Sequence, residues 1–574
     1  MTEFITKDSK ITFVTSFIDI YETTFEDKTV EWRFEKFRDI VSTGIQICVY
    51  VSPECYDVLH EFVKDFANVK IMKTISIEST WIAKECADVE YYLPEYRNYP
   101  KDIPQYMMLI NSKCEFLYDA IQENPWGSTH FAWIDFSISY VFHNKSATLE
   151  YLSALSLRTF TKEPFLLIPG CWDKIAENNV DQITNGVYWR YCGGFLLGDA
   201  KSVEEMFLLY KQYYPEWIRT HQKLVWEVNF WAWLEANTEW SPRWYKADHN
   251  DCIIHIPLDV CCTVLIQEGF DAMTTYDYPQ IDTYEPASAS YIYFQGKHIL
   301  NTRYVNYWYW ETGHCHIKHP DDFIITKNIC SVLEDDTLIP MFYKEMDDAS
   351  TGFQSKRCYF YGLEDIRLYE YRNTIRFIAT NIDYSPMEWN RMIVGEYHPE
   401  TQTYSNCRIT EPPYESWCEK NWIPLVRKEA TGDNGELIEE EYFIYKWHPM
   451  EVGKLDENNK LNIVHQYPIN APEFHRVRGS TQFIDNGEFL IGLVHLSEST
   501  LPRRYYHIMV ALDRETFKPK KYSEIFSFRH IGIEFCIGFA IRNGEYVFWT
   551  SLKDREPMMI MCDSNRIPLI YDFW

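Results

Sequence analysis

The run Phe131-Ala132-Trp133-Ile134-Asp135 ends an apolar strand on a carboxylate, and the carboxyl ends of buried strands are where open α/β sheets hold their ligands. An aspartate there can bind a divalent ion that neutralises a diphosphate leaving group, or it can cap the next turn. Asp248-His249 follows much later and offers an imidazole to the same kind of shell. A second candidate is Gly362-Leu363-Glu364-Asp365-Ile366-Arg367-Leu368. Two carboxylates beside an arginine suit acid catalysis, because Arg367 would hold one ionised and leave the other to donate a proton. A strand-end salt bridge is the plainer alternative. Gly313-His314-Cys315-His316, with His319 after it, comes nearest to a metal cluster, but no second ligand pair accompanies it and a structural role is favoured.

These residues need elements to hold them. Up to about residue 265, strand-length apolar runs alternate with segments of helical period, the pattern of an α/β domain. Ile11 to Phe17, Gly44 to Val51, Phe131 to Asp135, Phe165 to Pro169 and Gly193 to Gly198 read as strands. Thr29 to Val41, Tyr106 to Gln122 and Ala200 to about Tyr213 read as helices. A polar, proline-containing stretch over 269–290 reads as a linker between a domain at 1–268 and a second at 291–574. Beyond it, short runs of Tyr, Phe, Ile and Val are separated by turns such as Asp485-Asn486-Gly487 and Arg542-Asn543-Gly544. That length and pattern suit a propeller of five four-stranded blades or a double sandwich.

Composition narrows the partners. The chain has 574 residues, with 55 Lys and Arg against 84 Asp and Glu, a net charge of −29. Such acidity opposes phosphate backbones and anionic lipid, so neither nucleic acid nor membrane insertion is expected, while a local basic patch can still take a small phosphorylated ligand. Aromatic residues make up 17% of the chain, enough for both packing and stacking on sugar rings. The 16 cysteines form no CxxC pair, which points to reduced thiols rather than a disulfide scaffold. The first residues contain charges and no uninterrupted apolar core, and no later run is long enough to span a bilayer, so a cytoplasmic location is expected.

Several segments, in order, carry a resemblance: Phe13-Val14-Thr15-Ser16-Phe17-Ile18-Asp19, Asn111-Ser112-Lys113, Trp133-Ile134-Asp135-Phe136, Gly193-Gly194-Phe195, Trp226-Glu227 and Ala247-Asp248-His249. From about Thr12 to His249 the chain resembles the bacterial HtrL/YibB family of glycosyltransferase-like proteins, which implies a nucleotide-sugar-binding GT-A fold. The resemblance implies that Thr15 and Asp19 face the nucleotide and that Lys113 approaches its phosphates. It further implies that Asp135 and His249 hold Mn or Mg, and that Gly193 and Gly194 let backbone approach the acceptor sugar. Glu227 is the candidate general base or acceptor orienter. Asp135 is followed by Phe136 and Ser137, so there is no DxD sequence.

The second half resembles, distantly, the five-bladed propeller of β-mannoside phosphorylases and β-1,2-mannosyltransferases. The pieces are Glu364-Asp365-Ile366-Arg367, Lys420-Asn421, Trp447-His448-Pro449, Arg478-Gly479, His495 and Tyr506-His507. Ile366 stands where the family has proline, and His448 where it has arginine. The resemblance implies Asp365 as the acid that protonates the glycosidic oxygen, with Arg367, Lys420, His448, Arg478 and His495 lining a substrate or phosphate site and no metal in the propeller. A hydrolase would add a second carboxylate about 6.5–9.5 Å away, for which Glu534 is the candidate. Aromatic residues from Tyr304 to Trp310 could form part of a sugar platform, although strand alternation divides them between two faces.

The expectation is a multidomain enzyme: an α/β GT-A-like glycosyltransferase domain followed by an all-β five-bladed propeller. It would take a nucleotide sugar donor, a glycan acceptor and a phosphate or sugar phosphate. The alternative is a single transferase whose propeller binds glycan without catalysis.

Overall fold

A computed structural model describes residues 11–21, 28–158, 160, 164–176, 179–265, 272–310, 312–356, 359–385, 387–431, 436–469, 471–498 and 502–573. The chain divides into two compact units, Met1–Val260 and Cys261–Trp574.

Unit 1 is an α/β domain. Its strands are β1 (Ile11–Phe17), β2 (Gln46–Val51), β3 (Val69–Thr74), β4 (His130–Ile134), β5 (Leu166–Gly170), β6 (Phe195–Asp199) and β7 (Arg243–Lys246). They form one sheet in the order β3-β2-β1-β4-β6-β5-β7. Only β6 runs antiparallel to its neighbours; β1 is parallel to both β2 and β4. Strand β1 is buried along almost its whole length, as a strand covered on both faces must be. Its neighbours lie on opposite sides, so the chain order reverses there, and such a reversal opens a crevice at the carboxyl ends of β1 and β4.

Local chemistry sets the helix ends. Thr29 caps the helix Val30–Val41 by accepting from the Trp32 amide, 3.2 Å away. The expected single helix from Tyr106 to Gln122 is two helices, Pro104–Asn111 and Lys113–Glu123, broken at Ser112. Asn111 turns its side-chain amide to the carbonyls of Met107 and Val225, both at 2.8 Å, tying the break to a distant loop. The helix expected to end near Tyr213 runs on to His221 through Pro215, because its Tyr214, Trp217 and Ile218 are buried in the main core. Strands β3 and β7 escape the sequence reading: β3 is half-exposed at the sheet edge, and β7, Arg243-Trp244-Tyr245-Lys246, has charged ends.

Unit 2 is all-β and propeller-like, an array of small antiparallel sheets met in chain order. One holds Glu285–Phe294, Lys297–Val305 and Ile324–Leu333; the next runs from Glu364–Tyr371 to Thr403–Ile409, and another from Ile423–Thr431 to Leu461–Tyr467. A larger sheet is built on Leu490–Glu498 and Arg504–Leu512, and the last comprises Glu534–Arg542, Glu545–Leu552 and Glu556–Asp563. Ala272–Thr274 pairs with Glu556–Asp563, which ties the start of the unit to its last sheet. The expected linker over 269–290 is therefore corrected: it contains that strand and the start of Glu285–Phe294. Hydropathy missed the first because its partner lies almost the whole unit away. Among the described residues, no helix is long and apolar enough to cross a membrane.

Candidate functional site

In unit 1, the break at Ser112 makes Lys113 the first residue of a helix. A cation at a helix N-terminus opposes the macrodipole, so it persists there only with strong compensation. Lys113 is 5% exposed. Its Nζ donates to the Gly193 carbonyl at 2.7 Å and to Glu227 Oε1 at 2.8 Å, and pairs with Asp135 Oδ1 at 3.1 Å. Burial works against its charge, but the two carboxylates outweigh it and raise its pKa. Glu227 is buried and opens the helix Glu227–Asn237, where a carboxylate suits the dipole. Asp135 also accepts from Trp133 Nε1 at 2.7 Å, and its amide donates to the Gly194 carbonyl at 3.0 Å. A Cβ on Gly193 would lie 2.1 Å from Glu227 Oε1, and one on Gly194 would lie 3.5 Å from Asp135 Oδ2. Lys113, Asp135, Gly193, Gly194 and Glu227 thus come together. Burial, followed by the charges of Glu227 and Asp135, also pushes the Tyr106 hydroxyl far up.

Other expectations in this unit change. Thr15 is fully buried within β1. Asp19 is exposed beyond the strand, with its amide on Ser52 Oγ at 3.2 Å. His249 stands with Cys171 and Cys192; among the described residues no group of three or more potential metal ligands includes Asp135. With one Asp135 oxygen held by an ammonium and an indole, and His249 beside two thiols, these residues do not fit a shared Mn or Mg shell, which calls for oxygen ligands. The positive charge next to Asp135 is Lys113.

In unit 2, Asp365 has a left-handed backbone, φ 54°, a conformation that costs a non-glycine residue energy and concentrates at functional sites. It lies where the pairing of Glu364–Tyr371 with Thr374–Asn381 shifts register, and the irregularity turns both acids toward Arg303. Arg303 is 5% exposed and donates to Asp365 Oδ1 at 2.9 Å and Glu364 Oε1 at 3.3 Å. Lys420 Nζ donates to both Glu364 oxygens, at 3.0 and 3.2 Å. Burial opposes the ionisation of Glu364, yet Lys420 and Arg303 prevail and hold it below the ordinary range. Arg303, Thr326, Glu364, Asn381, Asn390 and Lys420 line part of a pocket of about 70 Å³, room for a phosphate-sized group.

The expected partnership of Arg367 with a carboxylate side chain is corrected. Its guanidinium donates to backbone carbonyls of Asp365, Ser480 and Gly479 and to Asn421 Oδ1, and burial lowers it to about 10. It fastens neighbouring sheets, and Arg303 holds the acids instead. His495 accepts or donates at Ser480 Oγ, 2.8 Å from Nδ1. Burial, with His507, Arg367 and Arg478 nearby, drives its pKa well down, so it offers a neutral imidazole rather than a charge for an anion. Arg478 is exposed and opposite His495 in the strand register. His448 stacks on His475 with ring centroids 3.5 Å apart. Glu534 is fully buried and accepts from the amides of Phe528, Arg529 and His530. That geometry makes it the anchor of a turn, closed off from solvent.

Two residues were missed. Arg303 lies in the strand Lys297–Val305, Lys-His-Ile-Leu-Asn-Thr-Arg-Tyr-Val, whose mixed polarity did not mark it. Asp554 gave no signal, since Lys553-Asp554-Arg555 reads as a solvated turn. It accepts from the Tyr307 hydroxyl at 3.1 Å. Burial raises its pKa; Arg303 opposes, while the charges of Asp365 and Glu364 add to the rise. In the Tyr304 to Trp310 segment, Tyr304 and Tyr307 are core, whereas Trp310 is 53% exposed and Trp308 packs on His316.

Comparison with known proteins gives partial likenesses. Residues 9–222 match the family model described as "Bacterial protein of unknown function (HtrL_YibB)", less than half of the chain. No curated protein matches. Among solved structures, the β-1,2-mannobiose phosphorylase from Listeria innocua, in complex with β-1,2-mannobiose, is similar at 11% identity and a TM-score of 0.33, covering 51% of this chain and 97% of that one. A mannose phosphorylase from Leishmania mexicana, in complex with phosphate ion, is similar at 14% identity and a TM-score of 0.32, covering 52% of this chain and 91% of that one.

Proposed function

We propose that the chain is a carbohydrate-active enzyme with two sites: a nucleotide-sugar-dependent glycosyltransferase of GT-A type in unit 1, and a five-bladed, mannoside-phosphorylase-like or transferase-like propeller in unit 2. The observation that carries the reading is the buried Lys113 clasped by Asp135 and Glu227 beside Gly193, at the carboxyl edge of the sheet. A fixed ammonium there would offset, through space, part of the charge that develops on a departing diphosphate in a water-poor site, while its own N–H groups stay on Gly193, Glu227 and Asp135. Glu227, hydrogen-bonded to that ammonium, would orient or deprotonate an acceptor hydroxyl. The transfer would break the bond between the sugar and the diphosphate oxygen and form one to the acceptor oxygen, whose proton leaves through Glu227.

In unit 2, two carboxylates in different environments support acid–base work: Asp365 clamped by Arg303, and Asp554 with its pKa pushed up. Arg303 and Lys420 line the pocket, and a phosphate there would compete for them with Glu364 and Asp365. The second reading, a glycan-binding propeller without catalysis, is favoured by one observation: Glu364 and Asp365 are both already occupied by cations.

The test is a thermal-shift screen of the full chain with UDP-, GDP- and CMP-sugars and with mannose 1-phosphate, followed by turnover assays of E227Q and D365N. The expected result is that E227Q loses nucleotide-sugar transfer and D365N loses phosphorolysis. If no donor raises stability and neither change alters any turnover, the enzyme reading fails. Glycan binding that survives D365N, without phosphorolysis in the parent chain, selects the second reading for unit 2.

A further inference from the structure

Cys171, Cys192 and His249 come from three separate segments of unit 1, yet one ligand atom from each lies within 4.8 Å of the other two. The sheet explains why. Cys171 follows the end of β5, Asp248-His249 follows the end of its parallel neighbour β7, and Cys192 precedes the antiparallel β6. All three therefore emerge at one edge. Backbone hydrogen bonds fix them: Cys171 N to the Trp189 carbonyl at 2.9 Å, Cys192 N to Pro169 at 2.7 Å, and Ala247 N to Gly170 at 2.8 Å. Gly170 makes the approach possible, because a Cβ there would sit 1.7 Å from the Arg190 carbonyl oxygen.

We propose that these three side chains form a binding site for a thiophilic divalent cation, with zinc the expected ion. The Sγ atoms of Cys171 and Cys192 are 3.6 Å apart, close to the separation of about 3.8 Å that two thiolates take on a tetrahedral zinc with bonds of about 2.3 Å. Two sulfurs and an imidazole select zinc over manganese or magnesium, whose hard ions prefer oxygen. Asp248 Oδ1 lies 3.9 Å from Cys171 Sγ and is the candidate fourth ligand. The Trp189 and His249 rings pack edge to face with centroids 4.4 Å apart, which restricts the imidazole. Cys192 is buried, Cys171 half-buried and His249 exposed, so the floor of the site is formed and its mouth is open to an entering ion. Cys192 immediately precedes Gly193, whose carbonyl holds Lys113. A metal here would pin the loop that supports the Lys113 cluster. The inference stands apart from the sugar-transfer reading.

Metal content and cobalt spectra of the full chain, kept reduced, test it. The expected result is one zinc per chain after dialysis, and cobalt substitution with a thiolate-to-metal charge-transfer band. C192S and H249A should each weaken zinc binding by about 100-fold or more, while D135N leaves zinc content unchanged. Circular dichroism of each variant checks folding, and the cobalt spectrum of the unaltered chain does not depend on any variant. The proposal is overturned if the reduced chain holds no zinc after exposure to it, if cobalt gives no thiolate band, or if folded C192S binds zinc as well as the parent.

Discussion

Replacing Lys113 by methionine keeps an unbranched side chain only one atom shorter and removes the charge that Glu227 and Asp135 share. Lys113 is 5% and Glu227 4% exposed, so the change strands a buried carboxylate, and stranding one member of such a pair costs about 3–5 kcal/mol. E227Q should cost less, about 1–2 kcal/mol, because the Lys113 ammonium keeps Asp135 at 3.1 Å and the Gly193 carbonyl at 2.7 Å. In the double variant no unpaired charge remains between the two positions, so its loss should fall short of the sum of the single losses by ~2 kcal/mol. Denaturant-dependent amide exchange in the helices Lys113–Glu123 and Glu227–Asn237 reads the opening of unit 1 separately from that of unit 2. If the double variant equals the sum of the singles within ~0.5 kcal/mol, the two residues are not coupled and the buried-clasp reasoning is refuted.

G193A places a methyl 2.1 Å from Glu227 Oε1 and should abolish the sugar transfer proposed for unit 1 while leaving any phosphorolysis proposed for unit 2 intact; equal effects in both assays would contradict it. R303M removes the partner of Asp365 and one partner of Glu364 and should lower propeller activity by about 100-fold, with R303K giving little rescue because an ammonium cannot span both acids as a planar fork does. Glu534 is pushed from 4.5 to about 7 by burial, so folding takes up a proton there between those values. Its contribution to stability is complete below pH 4.5 and is lost as pH rises through about 7, and a comparison of the parent chain with E534Q in unfolding across that range should show a shallower decline in the variant, where buried Asp348, also raised to about 7, still titrates.

The helix from about Thr29 to Val41, the buried strand Ile11–Phe17 and the all-β character of the second half were legible because each depends on residues close in sequence. So was Asp135 as a strand-end carboxylate, since it needs only the apolar run before it. Its true partner was not legible. Lys113 is expected beside a donor phosphate, and only the break at Ser112 and the Gly193 approach bury it between two acids from distant segments. The same limit explains Arg367 and Arg303. Sequence proximity suggested that Arg367 holds the acids, but a register shift and a left-handed residue turn Asp365 toward an arginine in another sheet. Cys171, Cys192 and His249 make the point most fully. Nothing in their spacing marks a cluster, because what unites them is the order of β5, β6 and β7 in the sheet. Local pattern determines which residues lie at strand and helix ends; only the long-range order of those strands determines which ends meet.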